Sequence, residues 1–370
     1  MEIGFEHFLI TNRILTAMKY FLLLLLASCG TITPFLPASG ELSSISLPPG
    51  FFITLYAENV TGARSLAFAQ ETLYVGTRGE GKVYAVQDLN GDGFAEDVQT
   101  ILSNKHMPNG IVAHNGSLYV AEIETLTKYD LTTMLGEVIA RFPTETHHGW
   151  KYLRLGPDGK LYVPIGAPCN VCNTSDPYGT ILRMNMDGSD REFYARGIRN
   201  TVGFDWHPET HELYFTDNGR DWFGDDVPPD ELNHAPVAGM NFGFPYCHGN
   251  LQDDVFVEKK CSEFSAPTAE LGPHVAALGM RFYDSEMFPS EYQNKAFIAE
   301  HGSWNRKEPM GYRVTTVDIE TGEYTPFAEG WLKSGTAWGR PVDILVMDDG
   351  SMLVSDDKAG KVYRITYPTS

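Results

Sequence analysis

The chain has 370 residues, of which 42% are hydrophobic and 21% charged, a composition typical of a globular protein with a sizeable buried core. It carries 48 acidic against 28 basic residues, a formal net charge of −20 at pH 7. Proteins that bind nucleic acid gain affinity by neutralising phosphates with basic side chains, so this charge argues against a nucleic-acid partner.

The N-terminus has the pattern of an export signal. Lys19 precedes the apolar run 20–27, which is too short to span a bilayer as a mature helix. The run leads into Leu26-Ala27-Ser28-Cys29, which resembles the bacterial lipobox, a motif whose cysteine becomes the lipid-bearing first residue of the mature protein.

We therefore expect a signal peptide over residues 1–28, a lipid on Cys29 and a tether over 29–44. The protein would then be periplasmic or on the cell surface, with membrane contact through the lipid anchor only. A plain secretory signal in which Cys29 is incidental is the alternative, and translation from Met18 would give a more typical signal than translation from Met1.

A short strand-like phrase returns six times in the rest of the chain. Its copies begin at Leu73, Leu118, Leu161, Leu213, Ala296 and Leu353. The first intervals, 45, 43 and 52 residues, are close to the length of one four-stranded propeller blade. Turn residues such as Asn115-Gly116 precede several copies, which is typical of hairpins. The pattern predicts an all-β, six-bladed β-propeller over 45–370, with a large β-sandwich as the alternative.

An acidic segment between the first two copies has the spacing of a calcium loop. Asp88, Asn90 and Asp92 place oxygen side chains at positions 1, 3 and 5, with glycine at position 6, as at the start of an EF-hand loop. Position 12 is Gln99 instead of glutamate. The segment predicts a structural Ca²⁺ loop, and an acidic turn between blade strands is the alternative.

Four cysteines follow the export signal. In an exported protein an even number favours disulfides, and pairing of nearest neighbours would join Cys169 to Cys172 and Cys247 to Cys261. Three connectivities are possible, and the sequence does not choose between them. A four-cysteine zinc site is the competing interpretation.

Polar residues stand beside the repeated strands, where loops at one mouth of a propeller usually build its site. They form an ordered series: His147-His148, Gly197-Ile-Arg199-Asn200, Asp217-Asn218-Gly219-Arg220, His301 to Arg306 and Gly339-Arg340-Pro-Val-Asp343. Each is a weak signal alone, because such residues are more often surface or turn elements. Their order on a six-repeat chain makes the pattern specific.

Together with Met107-Pro-Asn-Gly-Ile111 and Asn241-Phe-Gly-Phe-Pro245, this series resembles the glucose/sorbosone dehydrogenase family over roughly residues 45–367, and most of all its sorbosone or aldose sugar dehydrogenase branch. The resemblance implies a six-bladed quinoprotein that uses pyrroloquinoline quinone (PQQ) and Ca²⁺. It further implies oxidation of aldose sugars or sorbosone-like aldehydes, with electrons passing to an acceptor such as a cytochrome or a quinone.

The resemblance also assigns roles to residues. His148 would be the general base that takes the proton of the anomeric hydroxyl, a task suited to an imidazole with a pKa near neutrality. Arg199 would steady negative charge on the quinone oxygen. The residues that match cofactor-binding positions are Asn109, Arg199, Asn200, Arg306 and Arg340. The main-chain carbonyls of Gly219 and Arg220 match the calcium-binding positions.

The chain departs from the family pattern around the base. The places of two carboxylates, one before the base and one that orients it, are taken by His147 and Ala167. Which ring nitrogen of His148 carries the proton therefore stays open. The family's quinone-contacting lysine has no clear counterpart, and Val342 replaces a second arginine after Arg340.

Two other functions fit a propeller. A gluconolactonase-like hydrolase would hold a metal with Asp217, Asn218 and Asp343, although the arginines in the series argue against a dication there. A propeller that binds a glycan or protein without chemistry is the third interpretation. The tryptophans Trp206, Trp222 and Trp331 are expected to pack within blades.

Overall fold

Six β-sheets of four or five strands and two two-stranded hairpins lie within residues 40–368, which are the residues that this computed structural model describes. The predicted signal peptide and Cys29 lie outside the described residues, as does the tether up to residue 39. None of the helices in the described range has the length and hydrophobicity that a membrane span requires.

The described strands and helices are short. The strands of the first part are β1 (Phe52–Ala57), β2 (Leu66–Ala69), β3 (Thr72–Gly76), β4 (Val83–Gln87), β5 (Asp97–Leu102), β6 (Gly110–His114), β7 (Ser117–Ala121), β8 (Thr125–Asp130) and β9 (Gly136–Arg141). The middle part contains β10 (Arg154–Leu155), β11 (Leu161–Ile165), β12 (Thr180–Met184), β13 (Glu192–Arg196), β14 (Phe204–Trp206), β15 (Leu213–Asp217), β16 (Pro229–Ala235), β17 (Met240–Asn241), β18 (Cys247–His248) and β19 (Leu251–Gln252). The last part contains β20 (Ala269–Pro273), β21 (Ala277–Phe282), β22 (Ala296–Glu300), β23 (Arg313–Val317), β24 (Tyr324–Glu329), β25 (Leu332–Lys333), β26 (Thr336–Ala337), β27 (Pro341–Val346), β28 (Met352–Asp356) and β29 (Lys361–Thr366). Three 3-10 helices complete the list, Gly40–Ser44, Cys261–Glu263 and Ser290–Tyr292.

The sheets are the six blades of a β-propeller. In chain order they are β2–β5, β6–β9, β10–β13 with β17, β14–β16 with β20, β21–β24, and β27–β29 with β1. The repeated phrases form the second strand of each blade: β3, β7, β11, β15, β22 and β28. Almost every residue of these second strands is buried, which explains why each phrase is a continuous apolar run. The prediction of an all-β, six-bladed propeller is confirmed.

The last blade is closed by the first strand of the chain. β1 pairs with β29 in antiparallel register, from Phe52 opposite Thr366 to Ala57 opposite Val362. Next to it, the ring of Phe51 packs edge-on against Phe288 and Phe327, with ring centroids 4.8 and 5.0 Å apart. This pairing covers an edge that would otherwise present unpaired backbone groups, and it joins the two ends of the propeller.

The cysteines form two disulfides. Cys169 pairs with Cys172 and Cys247 with Cys261, with Cα–Cα distances of 6.2 and 5.5 Å. The nearest-neighbour pairing is therefore the one adopted, and it uses all four sulfurs that the zinc interpretation needed.

The innermost strands β2, β6, β10, β14, β21 and β27 surround the central channel, and contacts join β10 to β6, β6 to β2, β2 to β27, β27 to β21 and β21 to β14. They run in the same direction, because each is the first strand of its blade. Residues that immediately precede these strands therefore meet at one mouth of the channel, and residues at their C-terminal ends meet at the other mouth.

Candidate active site

A cavity of about 300 Å³ opens at the mouth where the innermost strands begin. Four arginines line it: Arg64, Arg78, Arg199 and Arg340. The carboxylates in its wall are Asp221 and Asp230. In a chain whose net charge is −20, this concentration of guanidinium groups favours binding of an anion.

Arg199 is fixed by the loop between β13 and β14. Gly197 makes the turn with φ of 67°, a conformation that favours glycine. The Arg199 guanidinium donates to the Asn170 side chain at 2.8 Å, to the Asn218 carbonyl at 3.1 Å and to Asp221 at 3.0 Å. Because these partners come from separate loops, the position of the Arg199 side chain depends on how several loops pack together at this mouth of the channel.

The buried carboxylate of Asp217 also holds the loop between β13 and β14. The Asp217 oxygens accept the backbone N–H groups of Arg199 at 2.8 Å and Asn200 at 2.6 Å. Burial raises the pKa of Asp217 to about 6, and these hydrogen bonds oppose that rise. Asp230 likewise accepts from Gly219 and Ala277, both at 2.9 Å, and burial raises its pKa to about 7.

Arg64 belongs to a network that links the first and last blades. It donates to Asn109 Oδ1 and to Asp357, both at 2.7 Å. The other Asp357 oxygen lies 2.8 Å from His301 Nε2. Burial alone would raise the pKa of Asp357, but the neighbouring His301 and Arg64 hold it well below its usual value. Arg340 donates to the carbonyls of His301 at 2.8 Å and Gly302 at 2.5 Å.

His148 lies in the cavity wall, on a left-handed backbone with φ of 49°. Its Nδ1 is 2.9 Å from the carbonyl oxygen of Ala167. A carbonyl can only accept, so Nδ1 carries the hydrogen and Nε2 keeps its lone pair. Burial, then Arg199 and His147, lower the pKa of His148 to about 2, so the ring is neutral at working pH. The backbone carbonyl of Ala167 thus fixes the orientation of the His148 ring.

The sequence profile of the glucose/sorbosone dehydrogenase family matches residues 113–364. The chain belongs to this family. It is 34% identical over 353 residues to an uncharacterised protein of Borreliella burgdorferi, a match that covers 88% of this chain and 91% of that protein.

Many solved structures have a similar fold, and two of them are compared by TM-score and identity. The family AA12 carbohydrate-active enzyme of Trichoderma reesei has a TM-score of 0.75 at 19% identity, covering 88% of this chain and 98% of that one. The holo form of the PQQ domain of pyranose dehydrogenase from Coprinopsis cinerea has a TM-score of 0.71 at 19% identity, covering 87% and 97%.

Among the residues predicted from the sequence, the structure brings His148, Arg199, Asn200, Gly219 and Arg340 together in the cavity wall. Three others lie outside that wall. Asn109 is fully buried and holds Arg64, Arg306 pairs with Asp226 at 3.1 Å, and Arg220 pairs with Asp253 at 2.6 Å.

The sequence reasoning missed Arg64 and Arg78, although their positions follow the same rule as the residues it found. Arg64 precedes the innermost strand β2, as Arg340 precedes β27. Arg78 follows the second strand β3, as Asn218 follows β15. Applying the rule to every blade would have found both.

Asp217 and Asp343, the two carboxylates of the hydrolase interpretation, do not line the cavity. Asp217 is bound to backbone N–H groups, as described above. Asp343 is buried and accepts from the Tyr152 hydroxyl at 3.0 Å and from the Leu66 N–H at 2.9 Å. Both hold strands and loops together, so neither of the two carboxylates named in the hydrolase interpretation lines the cavity.

Two exposed tryptophans stand at the rim. Trp222 and Trp304 are 71% and 65% exposed, with ring centroids 5.2 Å apart and perpendicular rings. Trp304 lines the cavity, and its neighbour Asn305 donates to Asp221 at 2.9 Å. The expectation that Trp222 packs within a blade is wrong, whereas Trp206 and Trp331 are buried as expected.

The predicted calcium loop lies between β4 and β5, at the outer edge of the first blade. The carboxylates of Asp88, Asp92 and Glu96 offer oxygens within 4.8 Å of one another. The side chains of Asp88 and Asn90 accept backbone N–H groups of the loop, at 2.7 to 2.8 Å. Glu96 thus supplies a third carboxylate, which Gln99 at position 12 of the loop does not. Ca²⁺ binding at this loop stays a prediction.

Proposed function

We propose that this protein is a PQQ-dependent dehydrogenase that oxidises aldose sugars or sorbosone-like aldehydes. The observation that carries the proposal is the neutral His148, with its free Nε2, in a cavity lined by four arginines. An anionic cofactor and a base that must accept a proton are the two requirements of such a reaction.

The residues of the cavity fit the cofactor. PQQ is a carboxylate-bearing quinone, and Arg64, Arg78, Arg199 and Arg340 would hold its carboxylates. The buried indole N–H of Trp150, also in the wall, has no hydrogen-bond partner and offers a further donor. When bound, the quinone supplies the two-electron acceptor to which a hydride passes.

The chain's own residues would then do two things. His148 Nε2 takes the proton of the anomeric hydroxyl, while the Ala167 carbonyl keeps Nδ1 protonated and the ring oriented. Arg199 places positive charge in the wall, where it stabilises negative charge that develops during the reaction.

Calcium is proposed at the carbonyls of Gly219 and Arg220. Gly219 lies in the cavity wall and donates its N–H to Asp230. Four arginines repel a dication, so we propose that Ca²⁺ binds here only together with the anionic cofactor. In that case Ca²⁺ affinity should depend on the presence of PQQ.

The first test is titration of the chain with PQQ and Ca²⁺, followed by dye reduction over a panel of aldoses and sorbosone. Arg340→Gln is expected to weaken PQQ binding about tenfold or more, because it removes a charge-assisted contact. Arg306→Gln, outside the cavity wall, is the matched control and should bind PQQ almost as the parent does. Absence of PQQ binding by the parent protein would refute the proposal.

The rim tryptophans are proposed to contact the sugar, because an indole face packs well on the C–H face of a pyranose ring. Trp304→Ala and Trp222→Ala should each raise KM for a pyranose several-fold and leave kcat nearly unchanged, since neither indole has a part in the proposed proton transfer. Leu135→Ala, which removes an equally exposed apolar side chain between β8 and β9, is the control. A fall in kcat at constant KM would contradict this role.

We also propose that the protein is exported and anchored by a lipid on Cys29, with a cytochrome or a quinone as electron acceptor. The two disulfides support an oxidising compartment. Expression in a bacterial host of the full chain and of Cys29→Ser should place the parent in the membrane fraction and the variant in the soluble exported fraction. Equal partition of both would rule out the anchor.

A further inference from the structure

A four-residue loop closed by a disulfide lies beside the candidate active site. It belongs to the segment between β11 and β12, and its ends are Cys169 and Cys172, whose Cα atoms are 6.2 Å apart. Asn170 lies inside this loop and is half-buried. A cross-link over so few residues restricts the backbone conformations that Asn170 can adopt.

Asn170 binds two neighbouring nitrogens of the Arg199 guanidinium. Its backbone carbonyl accepts from Arg199 Nε and its side-chain Oδ1 accepts from Nη2, both at 2.8 Å. The same Oδ1 accepts the Asp221 N–H at 2.8 Å, and Asn170 Nδ2 donates to the Asp221 carbonyl at 3.0 Å. A flipped amide would place its own N–H groups against these donors, so the amide orientation is fixed. Asp221 thus holds Asn170, and Asn170 holds one edge of the guanidinium.

The backbone of Arg199 is held without Asn170. Its carbonyl accepts the Ala167 N–H at 2.8 Å, and its N–H donates to Asp217 at 2.8 Å. The Asn170 contacts therefore fix the guanidinium, whereas other contacts set the course of the Arg199 backbone. The Arg199 side chain is only 4% exposed, so the orientation of the guanidinium decides which N–H groups a ligand in the cavity can reach.

We propose that Asn170 is a positioning residue that acts through Arg199 and raises the affinity of the cavity for an anionic cofactor, and that the Cys169–Cys172 disulfide keeps Asn170 in place. This inference rests on the proposed function, in which Arg199 helps to hold PQQ. Asn170 itself does not line the cavity. Its effect arises because a guanidinium that is ordered before the ligand arrives loses less side-chain entropy on binding.

The first test is calorimetric titration of the full chain with PQQ in the presence of Ca²⁺. Asn170→Ala should weaken PQQ binding about tenfold or more, because the guanidinium loses a charge-assisted partner. Asn173→Ala is the matched control and should bind PQQ as the parent does. Asn173 lies in the same segment but is exposed, and its side chain accepts from the Tyr246 hydroxyl at 3.3 Å.

A double-mutant cycle separates positioning of Arg199 from a general disturbance of the loop. In the Arg199→Lys background, Asn170→Ala should cause little further loss of PQQ affinity, because Asn170 acts through the guanidinium. A loss of equal size in both backgrounds would overturn the proposal.

The disulfide is tested by Cys169→Ser combined with Cys172→Ser, which opens the loop but keeps Asn170. This variant should weaken PQQ binding several-fold, and it also tests the proposal if Asn170→Ala does not fold. Parent-like binding by the cysteine variant would refute the role of the disulfide. Thermal unfolding of every variant verifies that it is folded.

Nitrogen NMR of the cofactor-free chain tests the positioning of Arg199 without PQQ. The guanidinium N–H signals of Arg199, assigned by their loss in Arg199→Lys, should exchange with water about tenfold faster or more in Asn170→Ala than in the parent. Equal exchange rates would overturn the proposal. Faster exchange in a chain whose parent does not bind PQQ would instead refute the proposed function and leave the positioning of Arg199 supported.

Discussion

Replacing His148 with glutamine is expected to lower PQQ-dependent turnover by about 10²- to 10⁴-fold, which is the usual contribution of a positioned general base. Glutamine fills much of the same space but cannot accept the proton that Nε2 would take. The measurement is kcat for dye reduction at saturating sugar, with PQQ binding determined separately. PQQ binding should change little, because the loss is in proton transfer.

His147→Ala is the matched control. His147 adjoins His148, with ring centroids 4.2 Å apart, but it is exposed and does not line the cavity. Its removal should change turnover only a few-fold. Equal losses in the two variants would show that the pair acts structurally and that His148 is not the base.

The protonation state of His148 gives a second readout of the same prediction. A lowered pKa keeps the His148 imidazole neutral down to acid pH. Nitrogen NMR of the cofactor-free protein should therefore show the His148 ring, assigned by its loss in His148→Gln, as neutral and protonated at Nδ1 from pH 5 to 8. Titration of this ring near its ordinary pKa of about 6.5 would contradict the effect of burial and of Arg199.

Asp357→Asn is expected to lower the free energy of unfolding by about 3–5 kcal/mol, the usual effect of removing one partner of a buried ion pair. Asp357 lies 2.7 Å from Arg64 and 2.8 Å from His301, and only 20% of its side chain is exposed. The variant leaves the buried Arg64 without its carboxylate. Denaturant unfolding measures the change.

The pH dependence of this stabilisation has a definite sign. Because folding lowers the pKa of Asp357, its contribution is present above the unfolded pKa of about 4 and is lost as the pH falls below it. The difference between the parent and Asp357→Asn should therefore shrink on acidification.

Asp226→Asn is the control for the Asp357 experiment. Asp226 also pairs with an arginine, Arg306 at 3.1 Å, but its side chain is 85% exposed. Its loss should change stability by less than about 1 kcal/mol. A similarly small change for Asp357→Asn would mean that the Arg64 network is solvated and does not hold the blades together.

The repeats allowed the propeller to be predicted because each second strand is buried on both sides and is therefore apolar at most of its positions. The pairing of β1 with the last blade could not be predicted from a sequence pattern of this kind. Its burial pattern is mixed, and its partner β29 lies at the other end of the chain. A local pattern does not report which distant strand supplies the missing edge.

In the candidate active site, too, some features could be predicted from the sequence and others depended on the tertiary structure. Polar residues beside repeated strands are visible in sequence, and they led to His148, Arg199 and Arg340. Whether such a residue faces the channel is decided by its neighbours. Arg306 turns to Asp226, and Asn109 is used to hold Arg64, so neither lines the cavity.

By itself the sequence determined the six-bladed propeller and the loops that carry the site, because strand burial and turn chemistry are local properties of the chain. Only the tertiary structure decided the tautomer of His148 and the gathering of four arginines. The Ala167 carbonyl that sets the tautomer lies 19 residues away, and a backbone oxygen has no signature in a sequence. Contacts of this kind exist only once the blades have closed around the channel.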